Sequence, residues 1–192
     1  MRLGIFGGSF DPPHIGHLLV AEDACDALAL DRLVFVPTAT QPLKVGRVAA
    51  DARHRLAMVR LMAEGNPRLE VSSAEVDRSG LSFTVETLTQ FAADDPGAER
   101  FLLVGADVLA SFARWREPAR VLELATLVVL QRADAATHLP EGLDAAAMQQ
   151  LATRRVDVSS TEVRERARQG RSIRGFVTDN VAAYIASNGL YR

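Results

Sequence analysis

Short runs of consecutive apolar residues recur along the chain, most closed by glycine or proline and most followed by a longer segment of helical periodicity. Leu3-Gly4-Ile5-Phe6 stops at Gly7-Gly8, Leu33-Val34-Phe35-Val36 at Pro37, and Phe101-Leu102-Leu103-Val104 at Gly105. Leu127-Val128-Val129-Leu130 is a further run, and Leu69-Glu70-Val71 and Val156-Asp157-Val158 are shorter ones. Unbroken apolar runs of this length read as strands covered on both faces. Apolar spacing with start and stop signals predicts helices over 16–30, 51–64, 84–93, 143–152, 161–169 and 179–187, with short helical pieces over 107–123 broken at Pro118. Residues 38–50, 72–81 and 131–141 read as loops.

Strands that alternate with helices and are buried on both sides predict an α/β fold with a parallel sheet. Right-handed crossovers then set the C-terminal ends of the strands along one edge, where open α/β sheets bind ligands. The segments that leave that edge are 7–17, 37–47, 105–107 and 159–164. No internal repeat or linker interrupts residues 1–192, which read as one domain with 159–192 as its helical C-terminal part.

Composition narrows the function classes. With 22 Lys plus Arg against 24 Asp plus Glu the formal charge is −2, which gives no general attraction to nucleic-acid polymers or anionic membranes. A single cysteine, Cys25, allows neither an internal disulfide nor a multi-cysteine metal site. No apolar stretch is long enough to span a bilayer, and the N-terminus lacks a signal-peptide layout, so a cytoplasmic protein is expected.

The densest chemical signal is Gly7-Gly8-Ser9-Phe10-Asp11-Pro12-Pro13-His14-Ile15-Gly16-His17. Glycines let a ligand approach the backbone and expose N–H groups, and the following helix adds a favourable N-terminus for phosphate. His14 and His17, three apart, can face the same anion. The segment is neither the G-x-G-x-x-G dinucleotide fingerprint nor the phosphate loop ending in Lys-Ser/Thr. Each part alone has a plain reading: a tight turn at Gly7-Gly8, a turn former at Asp11, capping or surface histidines. Asp11, His14 and His17 could also ligate a metal, but at a spacing that matches no standard site.

A second signal lies at the other end. Val158-Ser159-Ser160-Thr161-Glu162-Val163-Arg164 leaves an apolar run and opens a helix, with Ser159 and Glu162 spaced as a capping box. The same hydroxyls and N–H groups, with Arg164 one turn on, form an anion site. Two anion sites on one sheet edge suggest a polyphosphate or nucleotide. With no G-x-S-x-G elbow, chemistry by positioning and charge neutralisation fits best.

These residues resemble a known family. The first segment together with Ser160-Thr161-x-x-Arg164 is similar to the nucleotidyltransferase superfamily with the H-x-G-H signature. Ser82-Phe83-Thr84, Gly105-Ala106-Asp107, Trp115 and the ending Tyr184-Ile185-x5-Leu190-Tyr191-Arg192 narrow the likeness to bacterial nicotinate-nucleotide adenylyltransferases, over nearly the whole chain. The resemblance implies a Rossmann-like, doubly wound parallel sheet of the adenine nucleotide α-hydrolase-like type. It implies adenylyl transfer from ATP to nicotinate mononucleotide in NAD biosynthesis, with Mg²⁺ carried mainly by ATP rather than by a dedicated metal cage. It implies that His14, His17 and Lys44 act on the reacting phosphates. Gly7, Gly8, Ser9, Phe10, Gly16, Ser160, Thr161 and Arg164 then hold the triphosphate, Gly105 and Asp107 lie near the adenosine, and Ser82, Phe83, Thr84 and Trp115 hold the mononucleotide. A monomer or homodimer is compatible with the sequence. Two substitutions depart from the family pattern: Gln41-Pro42-Leu43-Lys44 lacks the family's loop histidine, and Phe83 replaces its tyrosine. Rival readings are nicotinamide mononucleotide or phosphopantetheine as acceptor, a cytidylyltransferase, and a non-catalytic nucleotide-binding regulator.

Overall fold

The computed structural model describes residues 1–40, 49–132 and 148–192. Six strands form one sheet: β1 (Arg2–Gly8), β2 (Arg32–Pro37), β3 (Leu69–Val71), β4 (Glu99–Gly105), β5 (Thr126–Arg132) and β6 (Met148–Thr153). All neighbours are parallel, in the order β3-β2-β1-β4-β5-β6. The helices are α1 (Ile15–Ala27), α2 (Ala52–Ala63), α3 (Ala74–Arg78), α4 (Thr84–Asp94), α5 (Ala106–Leu109), α6 (Pro118–Leu124), α7 (Ser160–Arg168) and α8 (Asp179–Ser187), with a 3₁₀ turn at Phe112–Arg114. This is the doubly wound Rossmann-like arrangement expected from the sequence.

The sheet divides the core in two because alternate strand residues face opposite sides. From β1, Leu3 and Ile5 join Val34, Val36, Leu88, Leu102, Leu127 and Val129 on one face. Phe6 joins Leu33, Phe35, Leu103, Val128 and the inward residues of α1, α2, α7 and α8 on the other. Gly4 has a packing reason: a Cβ there would lie 2.6 Å from the Leu30 side chain.

The order places a switch point between β1 and β4, since the chain winds outward from β1 through β2 and β3, then returns to β4 on its other side. A crevice opens there beyond the strand ends. Gly8 ends β1 opposite Pro37, and Gly105 ends β4 opposite Leu130.

Two expected elements differ. Residues 143–152 read as a helix and 156–158 as the last strand; instead Met148–Thr153 is the edge strand, paired with β5 from Leu127↔Met148 to Arg132↔Thr153. Met, Gln, Leu and Ala favour helix locally, but propensity is a weak term beside a full ladder of main-chain bonds. Residues 143–147 lie outside the described residues, as do Lys44 and the altered loop tetrapeptide 41–44. The segment 72–81, expected to be loop, contains α3, whose first turn closes through Asp77 N–H to the Ser73 carbonyl (2.8 Å).

Candidate active site

The turn between β1 and α1 is built inside out. Phe10, only 2% exposed, turns its ring down among Phe6, Phe35 and His17, with ring centroids 5.8, 5.7 and 5.0 Å away. The ring folds back so closely that a Cβ on Gly8 would meet it at 2.9 Å. Gly7 faces open space instead, toward the crevice. The two glycines thus differ: Gly8 permits close packing beneath the turn, and Gly7 leaves space above it.

His14 is the N-cap of α1. Its N–H donates to His17 Nδ1 at 3.1 Å, and the two imidazoles lie against each other, tilted by 37° with centroids 3.8 Å apart. With Nδ1 of His17 accepting, the proton of the neutral ring sits on Nε2. Gly16 makes room for this pair, because a Cβ there would lie 3.0 Å from the His14 ring. Burial pushes the His14 pKa down to about 4; burial, and then the neighbouring His14, hold His17 well below its ordinary value. Each ring opens on the cavity at one side yet has protein around the rest, which is what desolvates it. Both are therefore neutral donors at pH 7 before a ligand arrives.

This fixes a pH dependence. The histidines take up protons in the unfolded chain near pH 6.5 but resist them in the fold, so their contribution to stability is complete above that value. It is lost as pH falls from about 6.5 toward 4. Urea unfolding should show a lower midpoint at about pH 5 than at about pH 7.5, with a smaller drop in His14→Gln. Equal drops in the two proteins would remove His14 as a source.

The second anion segment packs onto the first. Ser159 caps α7, its Oγ accepting the Glu162 N–H at 3.1 Å. The Ser160 hydroxyl donates to the Pro12 carbonyl (2.8 Å), and Arg164 Nη1 to the Asp11 carbonyl (2.7 Å). Arg164 Nη2 also reaches Thr161 Oγ1 at 3.2 Å. The N-terminus of α7 and the β1–α1 turn thus form one surface, with Ser160, Thr161 and Arg164 on the same cavity wall as Ser9, His14 and His17.

That cavity has a volume of about 910 Å³ and runs past Gly105 to Ser82, Phe83, Thr84 and Trp115. Trp115 leans on Phe112 (centroids 5.3 Å) and donates from Nε1 to Ser111 Oγ at 3.2 Å. Phe83 is the N-cap of α4, with Thr84 its first residue. The Arg116 guanidinium lies over the Phe83 ring, 4.9 Å from its centroid. Ser82 is more structural than expected: its Oγ accepts the Ala39 N–H (3.0 Å) and its N–H donates to the Thr40 carbonyl (2.9 Å). Asp107 follows Gly105 in the backbone of α5.

Sequence reading missed the residues beneath this surface. Asp11, 4% exposed, does more than form a turn. Its carboxylate accepts N–H groups of Ala49 (2.7 Å) and Ala50 (3.1 Å) and the Tyr191 hydroxyl (2.7 Å). Among the described residues no three His, Cys, Asp or Glu converge on a metal position. Arg55 is buried behind the turn. Glu75 on α3 accepts the Thr87 hydroxyl at 2.6 Å and so pins α3 to α4; burial, opposed by that bond, raises its carboxyl pKa. A charged residue inside an apolar helical stripe was the available signal for Arg55. None existed for Asp11 and Tyr191, which are 180 positions apart.

The comparisons with known proteins agree with the fold. A family model described as cytidylyltransferase-like matches residues 5–166. A protein of Gemmatimonas aurantiaca named "Probable nicotinate-nucleotide adenylyltransferase" is 53% identical over 100% of this chain and 93% of its own. The chain belongs to the nicotinate-nucleotide adenylyltransferases of the cytidylyltransferase-like family. A Thermus thermophilus adenylyltransferase of the same printed name is 42% identical over the full length of both chains. The fold is shared more widely: a Plasmodium falciparum nicotinic acid mononucleotide adenylyltransferase, solved in complex with NaAD, superposes with a TM-score of 0.78. It does so over 99% of this chain and 97% of its own at 16% identity.

Proposed function

We propose that the chain transfers the adenylyl group of ATP to nicotinate mononucleotide, giving nicotinate adenine dinucleotide and pyrophosphate. The observation that carries this reading is the one cavity lined at one end by a two-part phosphate surface and at the other by a half-buried tryptophan and a helix N-terminus. Such a cavity suits two nucleotides meeting phosphate to phosphate. The family relationship supports the same pair of substrates.

In this reading a phosphate oxygen of the mononucleotide attacks the α-phosphorus of ATP. The bond from that phosphorus to the bridging oxygen breaks, and pyrophosphate leaves with the electron pair. Positioning and charge stabilisation supply most of the catalysis such a transfer needs. His17 donates its Nε2 proton in a hydrogen bond to the reacting phosphoryl group, and His14 supports it. N–H groups of Gly8 to Phe10 and the Ser9 hydroxyl hold the phosphates, with Gly7 and Gly16 giving access. The first N–H groups of α7, with Ser160, Thr161 and Arg164, take the β- and γ-phosphates, favoured by the helix dipole. Gly105 and Asp107 border the adenosine. Thr84, following Ser82 and Phe83, offers its N–H to the pyridine carboxylate, and Trp115 stacks on the ring. Lys44 is assigned to the phosphates on sequence grounds. A Mg²⁺ arriving with ATP would take its ligands mainly from the triphosphate.

The test is pyrophosphate release with ATP and Mg²⁺ against nicotinate mononucleotide, nicotinamide mononucleotide and phosphopantetheine. Nicotinate mononucleotide should give the highest kcat/KM. Turnover with another acceptor but none with nicotinate mononucleotide would sink the assignment. For Trp115→Ala, loss of a stacked ring should raise the KM for the mononucleotide roughly tenfold while the KM for ATP stays within about twofold. A defect confined to ATP would contradict the stacking role.

A further inference from the structure

Arg55 lies in the first turn of α2, among inward residues that are otherwise apolar, and is 1% exposed. Its guanidinium gives a separate nitrogen to each of three chain segments. Nη1 donates to the Ser9 carbonyl at 2.7 Å, Nη2 to the Ala39 carbonyl at 2.9 Å, and Nε to the Ala50 carbonyl at 3.0 Å. These segments follow β1, follow β2 and precede α2. A planar fork of five donors can satisfy such a set; a point charge cannot.

The bond to Ser9 has a directional effect. In a trans peptide the carbonyl and the next N–H point opposite ways, and Ser9–Phe10 is trans. Drawing the Ser9 carbonyl down onto Arg55 turns the Phe10 N–H up, toward the cavity wall formed by Ser9, Phe10, His14 and His17. Phe10 itself sits at φ +48°, a left-handed conformation that a bulky residue adopts only when its surroundings impose it. The packed ring imposes it from one side and the Arg55 bond from the other. The same guanidinium fixes Ala39 and Ala50, and the Asp11 carboxylate fixes the Ala49 and Ala50 N–H groups, so both chain ends flanking 41–48 are tied to this turn.

We infer that Arg55 is a positioning residue for phosphate transfer: without touching substrate, it aims the Phe10 N–H at the phosphates through the Ser9 carbonyl and holds Ala39 and Ala50 in register with the turn. The inference rests on the adenylyl-transfer reading for which phosphates are meant. It goes beyond that reading in placing the control of the turn on a buried arginine of α2.

The experiment compares wild type with Arg55→Lys, which keeps the charge but loses the fork. Folding is checked by circular dichroism and melting. Kinetics are measured for both substrates, and binding of a non-hydrolysable ATP analogue is measured by calorimetry. In folded Arg55→Lys, kcat should fall roughly tenfold to a hundredfold and the analogue should bind about tenfold more weakly, with the mononucleotide KM within about twofold. Unchanged kcat and analogue affinity would overturn the inference, as would an equal loss for both substrates. A second measurement needs no variant. The Phe10 amide proton of the wild type should move downfield when the analogue binds, and an unmoved Phe10 amide overturns the inference even if Arg55→Lys does not fold. Failure of the wild type to use nicotinate mononucleotide would strike the functional reading alone, since the analogue experiments do not involve the acceptor.

Discussion

Replacing His17 with alanine should lower kcat by roughly two orders of magnitude or more, the usual consequence of deleting one preorganised donor to a developing negative charge. The expectation follows from what the ring does at each end. Nδ1 accepts the His14 N–H and fixes the imidazole, leaving the Nε2 proton for the substrate. Phe10 and Phe6 hold the ring from below, at centroid distances of 5.0 and 6.1 Å. Burial holds the ring's pKa down and so keeps it neutral. The alanine variant loses the donor and also strands the His14 N–H at the start of α1. His17→Asn separates these effects, because the amide oxygen can take over the Nδ1 role but offers nothing at the Nε2 position. The asparagine protein should melt closer to wild type than the alanine protein while staying comparably slow. A folded alanine variant with wild-type kcat would remove His17 from the mechanism.

How far the sequence reached follows from the range of the interactions involved. The apolar runs of β1, β2, β4 and β5 were legible because a strand buried on both faces has no polar alternation. The glycine-histidine turn and the capped start of α7 were legible because each is local: a few neighbouring residues carry both the geometry and the chemistry. β6 was not, since its main-chain pairing with β5 overrides the helical bias of Met148-Gln149-Gln150-Leu151-Ala152. The support beneath the site was not legible either. The Asp11 carboxylate closes on groups 38, 39 and 180 positions away, and Arg55 on carbonyls up to 46 positions away. Composition and periodicity carry no trace of such pairings. The candidate site residues were therefore easier to name than those that hold them in place.

Asp11→Ala is expected to be the most destabilising single change near the site, by roughly 3 kcal/mol or more, because it leaves several buried groups without partners at once. The Ala49 and Ala50 N–H groups and the Tyr191 hydroxyl lose their acceptor. The buried Arg55 loses a nearby opposite charge, and Arg164 Nη1 loses a carboxylate oxygen 3.9 Å away. Asparagine does not repair this. Its one oxygen can serve Oδ1's partners or Oδ2's, and the amide nitrogen then faces an N–H or hydroxyl donor. Asp11→Asn should thus recover only part of the loss, whereas Tyr191→Phe, which deletes one donor and leaves the two backbone bonds, should cost about 1 kcal/mol. Urea denaturation of the three variants measures the order directly. If Asp11→Asn were as stable as wild type, the carboxylate could not be the acceptor that joins the turn, the approach to α2 and the C-terminal residues. The same three proteins bear on function. Asp11 lies in the β1–α1 turn and ties it to Ala49, Ala50 and Tyr191, so its loss should slow turnover by letting the turn shift. Tyr191→Phe, which leaves the Ala49 and Ala50 anchors intact, should slow it far less.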